Sequence, residues 1–173
     1  MITAMPRPAL LPHVLLTPAP SVRPARRGDA AQLVALSQPF VRTGALRERP
    51  ASLYADRAGD FLVTESPGGG LEGCVGLRAY PADGAEGRGP AGVLYNFCVA
   101  GHSQGRGVGA VLLRAALSAA RAQSLAALFT ATTGGGSLFL RHGFAPSTAR
   151  QAPRSWAESL DPLRDARILA RAL

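Results

Sequence analysis

The chain has 173 residues, of which 47% are apolar and 17% charged. That balance supports a single domain with a buried core and excludes wholesale disorder. Its 19 basic residues, all arginine, outweigh 11 acidic ones to give a formal charge of +8, which favours anionic partners such as nucleotides or carboxylates. A chain without lysine reflects a coding bias as much as chemistry, so arginine number alone assigns no function.

Residues 1–20 contain Pro6, Pro8, Pro12, Pro18 and Pro20 and read as an extended leader, with Val14–Leu16 expected at a sheet edge. These prolines deny the segment the helical apolar core of a secretory signal. No uninterrupted run of about 18 apolar residues occurs, so a cytoplasmic protein without a membrane span is expected. Val22–Arg27 reads as a short strand leading into Gly28-Asp29, with Asp29 as the N-cap of a helix over Ala30–Leu36. Pro39, Gly44 and Pro50 interrupt the next stretch, which holds a second helix around Pro50–Arg57. Phe61–Thr64 and Gly73–Tyr80 flank the turn Ser66–Gly70 and form a hairpin. Residues 81–92 are a loop rich in glycine and proline.

Val93–Val99 is an apolar run consistent with a buried strand. The glycines of 105–109 follow, then a helix with Val108, Val111, Leu112, Ala115, Ala116 and Ala119 on one face and Arg114, Ser118 and Arg121 on the other. Leu125–Ala131 is a strand, Ser137–His142 a short helix stopped at Gly143, and Ala166–Leu173 a closing strand. No internal repeat is visible. This order predicts an α/β (α+β) domain over 21–173, a mixed sheet with helices on both faces. Cys74 and Cys98 each sit in an apolar run without metal-ligand spacing, so both read as buried reduced thiols and no metal site is expected.

The segment with the sharpest chemistry is Gln104-Gly105-Arg106-Gly107-Val108-Gly109, between a strand and a helix. Glycines let backbone N–H groups turn toward a ligand, and the first helical turn adds unpaired donors and partial positive charge. Together they suit a diphosphate, with Arg106 as an added charge. A dinucleotide fingerprint requires a different glycine spacing and an acidic residue about 20 positions on, and a Walker loop requires a lysine that the chain lacks. The pattern Gln-x-x-Gly-x-Gly at 104–109 instead matches the acyl-CoA pyrophosphate loop.

On these residues the chain resembles the GNAT superfamily of N-acetyltransferases, and within it the acetyltransferase domain of the N-acetylglutamate synthase family. Phe129–Phe144 resembles the family's strand–hydroxyl–helix–Gly-Phe block, Gly44–Pro50 its substrate loop, and Ala152-Pro153 with Arg164–Leu169 its C-terminal segment. The similarity spans about Val22 to Leu173. No counterpart of the family's amino-acid-kinase domain is present, which suggests a short, single-domain form.

The resemblance implies a GNAT-like, mostly antiparallel sheet, with acetyl-CoA held by Gln104, Gly105, Arg106, Gly107, Val108 and Gly109. The pantetheine arm would pair with the backbone of Phe97, Cys98 and Val99, and Phe139 would pack near the sulfur in place of the tyrosine acid of other members. It implies Arg49 and Arg78 for the α-carboxylate of glutamate and Arg164 for its side-chain carboxylate, since planar guanidinium groups suit carboxylates. Thr132 matches the family's catalytic hydroxyl. The family's glutamate base is Val93 here, and its serine after the last arginine is Ala166. A water held by Asn96 or Tyr95, or a histidine at His102 or His142, is the expected substitute base.

The expected activity is acetyl transfer to the α-amine of L-glutamate, as in arginine biosynthesis, by direct attack in a ternary complex. Another small amine, such as an amino-acid-like antibiotic, and a non-catalytic acyl-CoA-binding module are the alternatives. Scattered arginines with few interleaved aromatics argue against nucleic acid. No membrane partner is expected, and the resemblance leaves room for a homodimer.

Overall fold

A computed structural model describes residues 20–173; the edge strand expected at 14–16 lies outside them. Runs of Val, Leu, Phe and Cys between turn residues supply the strands. These are β1 (Val22–Pro24), β2 (Phe61–Glu65), β3 (Leu71–Tyr80), β4 (Ala91–Val99), β5 (Ala127–Thr132), β6 (Ala145–Pro146) and β7 (Arg167–Ala172). The helices are α1 (Ala30–Arg42), α2 (Ala51–Asp56), α3 (Val108–Ala122), α4 (Ser137–Arg141) and α5 (Arg154–Glu158). The sheet order is β1-β2-β3-β4-β5-β7-β6, with β4 and β5 parallel and the other pairs antiparallel. This is the mixed, mostly antiparallel sheet expected. No helix among the described residues is long and apolar enough to cross a membrane.

The core divides across the sheet. Leu112, Leu113, Ala116, Leu117 and Ala120 of α3 pack with Val75, Leu94 and Leu128 on one face. On the other, Leu33 and Leu36 of α1 and Tyr54 of α2 cover Phe61, Val63 and Cys74. Farther along that face, Trp156 of α5 packs with Val93 and Phe129, its ring centroid 6.4 Å from that of Phe129. Burial of Leu113 and Leu117 rotates the inner face of α3 from the expected stripe, leaving Val111, Ala115 and Ala119 half-buried.

Four local expectations are corrected. Helix α1 runs through Pro39 to Arg42 rather than ending at Leu36, since its buried stripe outweighs one lost N–H bond. Asp29 does not cap α1 with its side chain. Its carboxylate instead accepts from the Arg26 backbone N–H at 2.7 Å and pairs with Arg23 through two bonds of 2.7 and 3.1 Å. Strand β4 begins at Ala91, inside the expected loop. The 154–158 helix, hidden in sequence behind Ala152-Pro153, is anchored by Trp156.

The Arg23 bonds hold the Asp29 carboxyl below its ordinary pKa against the opposing effect of burial. The folded state then binds fewer protons than the unfolded one, so this contribution is full above the unfolded pKa and is lost as pH falls through the folded value. Asp29→Asn is expected to cost about 2 kcal/mol at pH 7, with the gap to wild type closing below about pH 4. Urea unfolding at a series of pH values checks both.

Candidate active site

The site begins with one extra residue in β4. Cys74 pairs with Cys98 and Gly76 with Tyr95, so two residues of β4, Asn96 and Phe97, face the single Val75 of β3. This is a β-bulge, and Asn96 takes φ +49° there, a left-handed conformation that asparagine tolerates better than most side chains. The Asn96 Nδ2 donates to Ser37 Oγ at 2.9 Å, and its Oδ1 accepts from the Tyr54 hydroxyl at 3.1 Å. Cys74 Sγ donates to the Asn96 carbonyl at 3.3 Å. Helices α1 and α2 and strand β3 therefore all hold the bulge in place.

Beyond it β4 leaves β5. The parallel ladder runs from Ala91–Ala127 to Leu94–Thr130 and stops, with Thr130 Oγ1 donating to the Leu94 carbonyl at 3.3 Å where it ends. Phe97, Cys98 and Val99 thus present a strand edge without a β5 partner. Gln104 Nε2 reaches back to the Val99 carbonyl at 3.0 Å. Gly105 and Gly107 follow at φ +74° and +83°, where a Cβ would be strained, and Gly107 is the N-cap of the fifteen-residue α3. The first N–H groups of that helix lack intrahelical acceptors. An unpaired strand edge running into an exposed glycine loop at a helix N-terminus suits an extended ligand ending in phosphates. Phe139 is buried edge-to-face between Phe97 and Phe144, at centroid distances of 5.5 and 5.4 Å.

On the opposite face a cleft of roughly 150 Å³ opens beside the fork, and Arg49, Arg78 and Arg164 all line it, with Tyr80, Tyr95 and Thr133. Arg49 and Arg78 each present a buried Nε without a hydrogen-bond partner. No acidic group among the described residues pairs with Arg49, and burial pushes its pKa down. Arg78 Nε lies 3.8 Å from Asp60 Oδ2. Arg164 donates from Nη2 to the carbonyls of Gly44 and Ala45 at 2.7 and 3.0 Å, so it also ties the 44–50 loop to the cleft wall.

Of the groups expected to supply the base, Asn96 and Tyr95 line the cleft and the two histidines do not. Asn96 lines the cleft, but its amide is committed to Ser37 and Tyr54, so holding a reactive water is corrected to holding the bulge. The Tyr95 hydroxyl donates to Asp60 Oδ2 at 3.0 Å. Neither His102 nor His142 lines the cleft, and His142 Nδ1 lies 2.9 Å from the Leu138 carbonyl. Asp161 is the one acid on the wall, and its Oδ1 accepts from the Leu163 N–H at 2.9 Å. Thr132 sits at the end of β5 past the last β4 pair, with Oγ1 accepting from the Gly134 N–H at 3.2 Å. Its neighbour Thr133 faces the cleft instead. The alternation of a strand could have singled out Thr133 in sequence, had the face of β5 been known.

Residues 57–146 match the acetyltransferase (GNAT) domain family. The chain belongs to that family. It is 30% identical over 152 residues to an amino-acid acetyltransferase of Ralstonia nicotianae, covering 88% of this chain and 32% of that protein. Its fold superposes at a TM-score of 0.79 and 27% identity on N-acetylglutamate synthase from Neisseria gonorrhoeae, solved with coenzyme A and N-acetyl-glutamate, over 88% of this chain and 35% of that one. The chain thus spans about a third of the length of these relatives. A Mycobacterium tuberculosis protein solved with CoA shares the fold at a TM-score of 0.70 and 22% identity, over 89% and 99% of the two chains. The matched stretch contains the bulge, the fork and the glycine loop.

The bulge lock has a measurable strength. Asn96→Ala strands the Tyr54 hydroxyl, removes the donor to Ser37 Oγ and places alanine at a positive φ, and is expected to cost about 3 kcal/mol. Urea unfolding reads it, and Ser37→Ala, which removes one bond of the set, is expected to cost about 1 kcal/mol.

Proposed function

We propose that this chain transfers an acetyl group from acetyl-CoA to the α-amine of L-glutamate or a close acidic analogue. The observation that carries the reading is the convergence of Arg49, Arg78 and Arg164 on a cleft beside the fork, with two buried guanidinium nitrogens unpaired. A cation kept from solvent without a protein partner is costly unless a ligand supplies the charge, and a carboxylate matches a guanidinium in shape and sign. The amino-acid acetyltransferase and N-acetylglutamate synthase relatives support the same substrate class.

In this reading the backbone of Gln104–Gly109 and the N-terminus of α3 hold the diphosphate, and the edge of Phe97–Val99 holds the pantetheine arm. Acetyl-CoA supplies an activated thioester. A β4 amide in the fork donates to the thioester carbonyl as negative charge builds on its oxygen. The arginines fix the amino acid by its carboxylates so that its nitrogen faces the fork, which lowers the entropic cost of attack. Direct attack is favoured over a cysteine relay. Cys98 is buried with its Sγ 3.6 Å from that of Cys74, and the proximity of Cys98 together with burial raises the Cys74 pKa well above the ordinary thiol value, whereas nucleophilic thiols are exposed with depressed pKa values. Thr132, at the mouth of the fork, is the hydroxyl proposed to protonate the departing sulfur.

With valine at 93, the Asn96 amide held by Ser37 and Tyr54 and the Tyr95 hydroxyl held by Asp60, the ammonium in this reading loses its proton to solvent. Steady-state CoA release with L-glutamate, L-aspartate, L-glutamine and L-arginine tests the reading. Glutamate or aspartate is expected to turn over, with kcat/KM rising about tenfold per pH unit until the amine itself is neutral. No turnover of any of the four overturns it, and turnover of the neutral or basic amino acids alone assigns the cleft to another amine. For the cofactor seat, Gly107→Ala is expected to weaken CoA binding at least about tenfold by calorimetry, since the N–H groups of the loop can no longer align.

A further inference from the structure

Arg49 and Arg78 have a common neighbour. The Arg49 Cζ lies 4.9 Å from the Tyr95 ring centroid and the Arg78 Cζ 5.2 Å from it, both within cation–π range. The ring is itself held on three sides. Phe61 meets it edge-on at 5.2 Å. Gly76, its partner on β3, leaves the space it occupies, since a Cβ there would come within 2.6 Å of two ring carbons. The hydroxyl is fixed to Asp60 Oδ2 at 3.0 Å. That oxygen also faces Arg78 Nε at 3.8 Å in a long ion pair, so Asp60 anchors the ring through its hydroxyl on the same side from which it meets Arg78.

We propose that Tyr95 is the positioning residue of the acidic-substrate pocket: its ring, anchored by its hydroxyl to Asp60, holds the Arg49 and Arg78 guanidiniums toward the cleft. The inference rests on the reading of the cleft as a carboxylate site and goes beyond it. Two flexible cations placed side by side repel each other and swing toward solvent or toward the nearest acid. A π face attracts both without supplying a counter-charge, so the cations stay in place, Arg49 with no acidic partner among the described residues and Arg78 with only the long contact to Asp60. The bulge is what makes this possible. Its extra residue puts Tyr95 and Asn96 on the same side of the sheet, where Tyr95 meets Phe61 and Asp60 while Asn96 meets Ser37 and Tyr54.

The test uses glutarate, a dicarboxylate without an amine, so that binding is read apart from turnover. Calorimetric affinities for glutarate and for CoA are compared among wild type, Tyr95→Leu, Tyr95→Phe, Arg49→Gln and the Tyr95→Leu/Arg49→Gln double variant. Tyr95→Leu is expected to weaken glutarate at least tenfold while CoA affinity stays within twofold. Tyr95→Phe, which keeps the ring, is expected to stay within fivefold of wild type. Because Tyr95 acts in part through Arg49, the double variant is expected to bind glutarate at least threefold more tightly than the product of the two single effects. Wild-type glutarate affinity in Tyr95→Leu, a parallel loss of CoA affinity, or full multiplication of the two single effects overturns the proposal. Absence of glutarate binding in the wild type overturns the acidic-substrate reading and this inference together, whereas equal affinity in wild type and Tyr95→Leu overturns this inference alone.

Discussion

One inserted residue in β4 governs the geometry of this molecule. Without the bulge at Asn96, β4 would continue its ladder with β5 beyond Leu94–Thr130, and no strand edge would be open between them. The cost is a buried polar side chain in a left-handed conformation. It is met by an amide whose donor and acceptor groups both find partners, Ser37 from α1 and Tyr54 from α2. A half-satisfied group at such a point would destabilise the fold by more than the bonds stabilise it, so the first two helices and the fork stand or fall together.

The two faces of the sheet then divide the chemistry. The α3 face carries the glycine loop, the helix N-terminus and the aromatic packing of Phe97, Phe139 and Phe144, all backbone and apolar surface. The α1 face carries guanidinium groups and tyrosines. An anion is attracted on either side, but by different means: oriented dipoles on one, full charges with weak neutralisation on the other.

Much of this was legible in the sequence. Residues 104–109 announce their turn because no other residue type fits the positive φ of Gly105 and Gly107 so readily. Arg78 stands out as a charge inside an apolar strand, and the structure brings it to Arg49 and Arg164 across long stretches of chain. What escaped the sequence depends on tertiary contact. The choice of Thr133 over Thr132 for the cleft rests on which face of β5 is covered. Asn96 reads as a polar residue near the reaction until Ser37 and Tyr54 are placed beside it. Asp29 looks like a helix cap until Arg23 is seen to claim its carboxylate, and Pro39 looks like a helix end until the buried stripe of α1 is counted.

Gly92 sits at the closed end of the fork. A methyl group there would press within 2.5 to 2.9 Å of Leu128, Leu125 and Leu77, so the parallel strands are clamped at their base by leucines from three segments. The angle of the mouth is therefore fixed from its hinge end and owes little to the walls outside the sheet. Those walls, the 44–50 loop and the stretch carrying α5 and Arg164, meet through Arg164 and through Arg47, which donates to the Ser159 carbonyl at 3.0 Å. Evolution can thus re-tailor the outer vestibule for a new amine while the place where the acyl carbon is presented stays where it is.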